Sequence, residues 1–457
     1  MREDRRGVIG LPCLLLATLL LAPPPAGAKV SAAEAAQLDG ELTPVGALRA
    51  GNADGSIPAW EGGIGKPPSC YRSGQRYCDP WPQERPLYTV DARNALQYRE
   101  RLSGGQRAML AKNPSSYRIE VYPTHRSSAL PPAVYEATRR NATRSELSIG
   151  GEGVRDAVLG LPFPIPKNAH EVIWNHKLRY RGTQVQRWNN QFAVHANGNR
   201  MQIRINEDVR FAYTEPGATP ESLNNVLVYI VQRVVAPPRL AGSITLVHET
   251  MDQVGEPRRA WQYSPGQRRL RRAPNVGYDN PGTGSDALRT NDQFDTYNGA
   301  MDRYSWKLLG KREMLVPANA YRLHSERQSY DQILLRPHLN QALARYELRR
   351  VWVVESTLKP ATSHMYHRRT FYVDEDSWQI VLVDAYDNRG QLWRWQEAHT
   401  VAAYDRPYTM PVAELVYDLQ AGRYLAMALN NQDRETAETH FDSRHFEPAS
   451  VYRLAER

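Results

Sequence analysis

Residues 367–398 read "HRRTFYV-DEDS-WQIVLVDAY-DNRG-QLWRWQEA". Three runs rich in β-branched and aromatic residues are separated by two short clusters of turn formers, the second closing on a glycine. This is the pattern of three strands in a meander joined by tight turns. Turn chemistry is enough to explain the acidic group Asp374, Glu375 and Asp376. Working outward, "RYELRRVWVVESTL" (345–358) places Tyr346, Leu348, Trp352, Val354 and Leu358 on one face, interrupted by Arg350. Residues 413–429, "AELVYDLQAGRYLAMAL", form a last hairpin. Upstream, "RMQIRINEDVRFAY" (200–213) alternates, and "NVLVYIVQRVV" (225–235) is apolar on both faces and is expected to be covered on both. "RRAWQYSPGQRRLRR" (258–272) reads as a hairpin with Pro265-Gly266 in a type II turn. Many strands and few helices predict a mainly β protein: a large curved antiparallel sheet with a few helices on its concave side.

Residues 29–165 read as an extended, turn-rich region. Residues 91–114 suggest two short helices broken at Gly104-Gly105, and another helix follows Pro131-Pro132. The sheet body then covers 166–457, with 29–457 as one folded unit. Within it, Asn168 is placed to cap a helix from Ala169 to about Tyr180. Val172, Ile173, His176 and Tyr180 make its apolar side, and Trp174 lies at one margin. An apolar cavity is expected between this helix and the sheet. Candidates for its lining are Trp174, Tyr346, Leu348, Trp352, Val354, Phe371, Trp393 and Trp395.

The chain opens with Arg2, Arg5 and Arg6, an apolar run from Val8 to Ala22, and "PPPAGA" ending at Ala28. That is the layout of a cleaved secretory signal (residues 1–28), and the run is short for a membrane span. It predicts export to the periplasm, with the protein either free there or peripheral to the outer membrane. Cleavage leaves 429 residues with a net charge of +8, one below the +9 of the whole chain. Export makes nucleic acid an improbable partner for this charge. Arg258, Arg259, Arg268, Arg269, Arg271 and Arg272 crowd one hairpin. They read either as a charged edge strand that resists aggregation or as contacts for an anionic headgroup or partner. Cys70 and Cys78, in "CYRSGQRYC", are expected to pair in an oxidising compartment.

Chemistry-bearing motifs are scarce. There is no Gly-x-Ser-x-Gly and no His-Glu-x-x-His, and nothing reads as a phosphate cradle. His364 and His367 lie three apart beside a strand, a spacing that sends them to opposite faces. "GNADGSIPAWEGGI" (51–64) approaches a calcium loop, with Asp54 and Glu61 in register, but Ala50 occupies the first ligand position. Turn chemistry is the better reading there. The expectation is a non-enzyme with neither cofactor nor metal.

Four blocks carry a resemblance: "ELTPVGALRAGNADGSIPAWEGGI" (41–64), "GLPFPIPKNAHEVIWNH" (160–176), "FDTYNGAMDRYSWKLLGKREMLVPANAY" (294–321) and "RRTFYVDEDSWQIVLVDAYDNRGQLWR" (368–394). In this order they resemble the bacterial domain of unknown function 1329 family. The resemblance implies a fold similar to the outer-membrane lipoprotein carrier and its receptor, an incomplete barrel wrapped around helices with an apolar cavity. It also implies a periplasmic shuttle or adaptor for hydrophobic, lipid-like cargo. Its implied partners are a resistance-nodulation-division transporter and an outer-membrane protein. Burying an acyl chain yields about 0.8 kcal/mol per methylene, so a chain of fourteen could supply roughly 11 kcal/mol before ordering costs. Binding of that kind leaves no short polar motif. The alternative is an envelope structural or interaction module without a ligand cavity.

Overall fold

The structure, a computed structural model, describes residues 29–273 and 278–456; the leader expected over residues 1–28 lies outside them. The strands run β1 (Tyr88–Val90), β2 (Ile119–Val121), β3 (Glu146–Leu147), β4 (Val154–Arg155), β5 (Gln184–Val194), β6 (Arg200–Arg210), β7 (Val226–Ala236), β8 (Ile244–Thr250) and β9 (Arg259–Ser264). They continue as β10 (Arg269–Arg272), β11 (Tyr304–Pro317), β12 (Tyr346–Leu358), β13 (Arg368–Asp374), β14 (Ile380–Tyr386), β15 (Leu392–Ala403), β16 (Tyr408–Asp418), β17 (Arg423–Leu429) and β18 (Ala437–Glu438). The helices are α1 (Ala32–Ala35), α2 (Gly104–Lys112), α3 (Pro132–Ala142), α4 (Ala169–Leu178), α5 (Pro220–Leu223), α6 (Tyr321–His324), α7 (Tyr330–Ile333) and α8 (Ser450–Ala455).

Sixteen strands make one open sheet in the order β1-β2-β12-β13-β14-β15-β16-β17-β5-β6-β7-β8-β9-β10, with β11 also on β12 and β18 on β5. The meander forms as expected. Its second turn is held by Asp387, whose carboxylate accepts from the amides of Arg389 and Gln391, both at 2.9 Å. Gly390 there takes the positive φ of 72°. The β17–β5 pairing, with Tyr424 opposite Val194, joins the C-terminal meander to the β5–β10 meander. Pairing is antiparallel throughout except where β2 meets β12 in parallel at Val121 and Tyr346.

From β12 to β17 both faces of this sheet are covered. On one lie α2, α6 and α7, packing Met109, Leu110, Leu323 and Ile333 against Tyr372, Leu382, Trp395 and Leu415. On the other, α4 packs Val172, Ile173 and Trp174 against Val354, Phe371, Val373 and Val383. Asn168 caps α4 as expected, accepting from the Glu171 amide at 3.1 Å. The same face carries a strap, residues 278–303, which crosses from the β9–β10 side to the start of β11. C-terminal to the last hairpin, α8 adds Val451 and Leu454 to a small cluster with Leu246 and Tyr263.

Three local expectations need correction. Gly104-Gly105 does not break a helix but begins α2. Ser103 caps it, and the Asp384 carboxylate accepts from the Gly104 and Gly105 amides at 2.7 and 2.8 Å. Glycine is needed at 105 because a Cβ there would come within 2.0 Å of the Trp395 ring. In the β9–β10 hairpin, the Arg268 amide donates to Pro265 O at 3.3 Å, and the positive φ falls on Arg268 rather than Gly266. Pro265 therefore opens the turn, and it is not type II. Finally, Tyr346 and Leu348 do not share a face with Trp352 and Val354. The apolar phase of β12 slips across Arg349-Arg350, so Val351 and Val353 join Tyr346 and Leu348 in the first cluster, while Trp352 and Val354 belong to the second.

Candidate functional site: two clefts beside the strap

The strap is pinned to the sheet by buried polar contacts. Asp292 lies 2.8 Å from Arg369 of β13 and 3.2 Å from His364, and Arg369 is 1 % exposed. Asp295 takes Arg179 and Arg181, each at 2.5 Å. Burial disfavours the ionised form of Asp295, but these two guanidiniums outweigh it and hold the carboxyl well below the usual carboxylate range. His176 of α4 accepts from the Ile380 amide through Nδ1 at 3.1 Å, so its Nε2 donates to Asp295 O at 2.9 Å. Burial drives its pKa down to about 3, and the neutral ring acts as a structural staple.

Where the strap does not seat fully, two clefts open on either side of Phe294. The first lies over β5, β16 and β17. It is walled by Val185, Arg187, Phe211, Met410, Val412 and Met427 and holds about 830 Å³ of atom-free space, open mouth included. At its base Glu414 receives the Thr296 amide at 3.2 Å. Burial, and next Asp295, push its pKa up to about 7. The second cleft lies over β6 to β9 and holds about 660 Å³ on the same measure.

The second cleft has the more suggestive lining. Ile230, Val247 and Ala260 stand directly opposite one another on β7, β8 and β9 and form the apolar row of its floor; Ile205 of β6 lies further along, beyond Gln232 and Thr245, and Glu249 borders the other side. Phe294, Asn291 and Arg289 of the strap make its wall. Arg289 is 5 % exposed, and its one hydrogen bond among the described residues runs from an Nη to Thr290 O at 3.3 Å. Its Nε finds no acceptor, and neither does the Gln191 side-chain oxygen find a donor. Burial lowers the Arg289 pKa to about 10, with Glu414 and Glu207 acting against that from a distance.

None of the eight cavity candidates read from the sequence lines either cleft. Tyr346, Leu348, Val354, Phe371, Trp174 and Trp395 are packed in the two cores. The Trp174 indole donates to Gly151 O at 2.8 Å, and α4 seats directly on the sheet, closing the space where a cavity was expected. Trp352 is half-buried, stacked on Trp378 with a ring separation of 6.3 Å and topped by Lys311. Trp393 is half-buried under Arg394. The arginine cluster divides. Arg258 lines the second cleft but is paired to Glu249 at 2.8 Å, and Arg259 pairs with Glu256 at 3.0 Å. Arg268, Arg269, Arg271 and Arg272 stand exposed on edge strand β10 and its turn.

Cys70 and Cys78 form the disulfide. In the loop at 51–64, Asn52 accepts from the Ile57 amide at 2.8 Å, and Asp54 accepts from the Ser56 amide at 3.0 Å. Its polar groups thus serve the turn, while Trp60 donates to Ser128 O at 3.2 Å. Asp374, Glu375 and Asp376 do more than turn the chain. They are buried and meet Arg349, Lys311 and Arg126 at 2.9, 2.7 and 2.6 Å, locking the N-terminal region onto the meander. Among the described residues no group of three or more His, Cys, Asp or Glu side chains is arranged to hold a metal ion, and no helix is long and apolar enough to cross a membrane.

Residues 89–452 match the family described as "Protein of unknown function (DUF1329)". The chain belongs to that family. An uncharacterized protein of Pseudomonas aeruginosa, PA3922, is 47 % identical over 447 residues, which cover 97 % of this chain and 96 % of that one. Among solved structures, a putative outer membrane lipoprotein-sorting protein domain from Vibrio parahaemolyticus superposes with a TM-score of 0.42 at 13 % identity. It matches 62 % of this chain and 97 % of its own. A DUF1329 family protein from Desulfovibrio piger gives 0.39 at 13 % identity over 59 % and 92 % of the two chains. A LolA superfamily protein from Nitrosomonas europaea, NE2245, gives 0.37 at 12 % identity over 62 % and 98 %. Likeness at this level bears on no individual residue of the clefts.

Proposed function

We propose that this DUF1329 protein is a non-catalytic periplasmic carrier or adaptor that binds a hydrophobic, lipid-like cargo for envelope transport. One observation carries the reading: a cleft with Ile230, Val247 and Ala260 in its floor and Phe294 in its wall stays open where the strap crosses the sheet. Apolar surface left unfilled between well-packed layers is what a transferable cargo needs. The disulfide and the secretory-type leader support the compartment. The exposed arginines of β10 offer a contact for an anionic membrane surface or an acidic partner such as a transporter or outer-membrane protein, with salt weakening it.

The test is uptake of the neutral fluorophore N-phenyl-1-naphthylamine. Wild-type protein should enhance its emission saturably, and Val247→Asp should abolish this while circular dichroism stays unchanged, because the new carboxylate would sit unpaired on the cleft floor. A folded wild-type protein that takes up no probe would leave the alternative, an envelope structural module.

A further inference from the structure

A buried guanidinium without a counter-ion is an unusual thing for a protein to keep. Taking a charge out of water costs several kcal/mol unless pairing and hydrogen bonds restore it. Elsewhere in this chain the rule is followed: Arg126, Arg349 and Arg369 are each buried against a carboxylate. Arg289 is the contrast. It is 5 % exposed and lies against Gly282 so closely that a Cβ there would come within 2.5 Å of its Cζ. Among the described residues it has only the Thr290 carbonyl as acceptor. Its Nε is unpartnered, and it borders the cleft beside the apolar floor. Gln191 also borders the cleft, and its buried side-chain oxygen is unpartnered too. The other cation in the cleft, Arg258, already has Glu249.

We propose that this cleft takes an amphiphile whose anionic head is received by Arg289 and whose alkyl chain lies on Ile230, Val247 and Ala260. The inference rests on the carrier reading and adds the class of cargo to it. A carboxylate or phosphate head would give the guanidinium its missing counter-charge by charge-assisted hydrogen bonds. Gln191 would accept from a hydroxyl on the head. An uncharged lipid of the same length would fill the floor and leave Arg289 unpaired.

Displacement of N-phenyl-1-naphthylamine from the full mature chain tests this with four competitors of equal chain length: tetradecanoic acid, 3-hydroxytetradecanoic acid, monotetradecyl phosphate and tetradecanol. The acids or the phosphate should displace the probe at a concentration at least about tenfold below that for tetradecanol, the range expected for a hydrogen bond to a charged group. The comparison of acid with phosphate identifies the source of the anion. Arg289→Met should bring anion and alcohol within about twofold of each other, each read against the variant's own uptake of the neutral probe. Arg289→Lys, which keeps the charge, should retain part of the preference, and Gln191→Leu should remove any advantage of the 3-hydroxy acid. Equal displacement by acid, phosphate and alcohol on wild type overturns the inference and leaves the carrier reading standing. So does a preference for anions that survives in folded Arg289→Met. Absence of probe uptake by wild type overturns both. Should Arg289→Met fail to fold, the wild-type ratio and the lysine variant decide.

Discussion

Replacing Asp292 by asparagine isolates the contact on which the strap depends. The carboxylate sits 2.8 Å from Arg369 and 3.2 Å from His364, and it accepts from the Thr290 hydroxyl at 2.5 Å. Arg369 is 1 % exposed, and its Nε and one Nη have no partner. The Asp292→Asn variant would thus leave a buried cation without a counter-charge, among the rings of Tyr304, Tyr297, Phe371 and Tyr366, centred 4.6, 5.0, 5.6 and 5.8 Å away. Breaking a buried pair from one side costs about 3–5 kcal/mol. With a urea slope of about 3 kcal/mol/M, the unfolding midpoint should fall by roughly 1 M or more. Removing the cation as well, in Asp292→Asn/Arg369→Met, should recover about 2 kcal/mol relative to Asp292→Asn alone, because no unpaired charge remains. Burial opposes ionisation of Asp292, but Arg369 and His364 hold its pKa well below the ordinary value. A depressed folded pKa means the pair's contribution is complete above the unfolded pKa of about 3.9 and is lost as pH falls through the folded value. The gap between wild type and Asp292→Asn should therefore be as large at pH 5 as at pH 7. A cost under about 1 kcal/mol, or a double variant equal to the sum of the singles, would refute the reasoning.

Three further outcomes follow from local geometry. Gly105→Ala should destabilise by about 1–3 kcal/mol through overpacking against Trp395, whereas Gly65→Ala, with open space around it, should be neutral; equal urea midpoints would contradict this. Glu414→Gln should stabilise the protein at pH 8 but not at pH 5. The folded pKa of about 7 lies above the unfolded value, so wild type has the full contribution of the neutral carboxyl below about pH 4.5 and loses it as pH rises through 7. The gain should be roughly 1–2 kcal/mol, moderated because the side chain opens on the cleft; a gap that does not widen between pH 5 and 8 rejects it. Replacing Cys70 and Cys78 by serine should cost about 2.5 kcal/mol, the loop entropy for a separation of 8 residues, read as a midpoint shift equal to that of reduced wild type.

The meander and α4 were legible in the sequence because each is specified locally. Asp387 and Gly390 set a turn, period-two alternation sets the strands, and Asn168 caps the helix three residues before its partner amide. The arrangement of the site was not legible, for three physical reasons. A single slip across Arg349-Arg350 moves Trp352 and Val354 to the face opposite Tyr346, and an alternation pattern shows no sign of it when buried arginines occupy the slip. The acidic group at 374–376 satisfied a turn rule, so nothing called for its partner Arg126, 250 residues away in sequence. The strap carries neither a helical nor a strand period. Phe294 and Arg289 acquire meaning only once β7 to β9 align Ile230, Val247 and Ala260 beside them. Phe294 opens one of the family-like blocks and Arg258 belongs to the arginine-rich hairpin, the traces of the site that sequence offered.

The central claim is that the cleft beside the strap carries a lipid-like cargo, and it is tested most directly on protein taken from the envelope of its own host. The protein should be purified without detergent, extracted with organic solvent and the extract analysed by mass spectrometry, with Val247→Asp prepared in parallel. The account predicts a defined set of amphiphiles at near-stoichiometric amounts in the wild-type extract, anionic ones prevailing, and their loss from the variant. A wild-type extract with no lipid above the level of the variant, from protein whose cleft is intact, would contradict it.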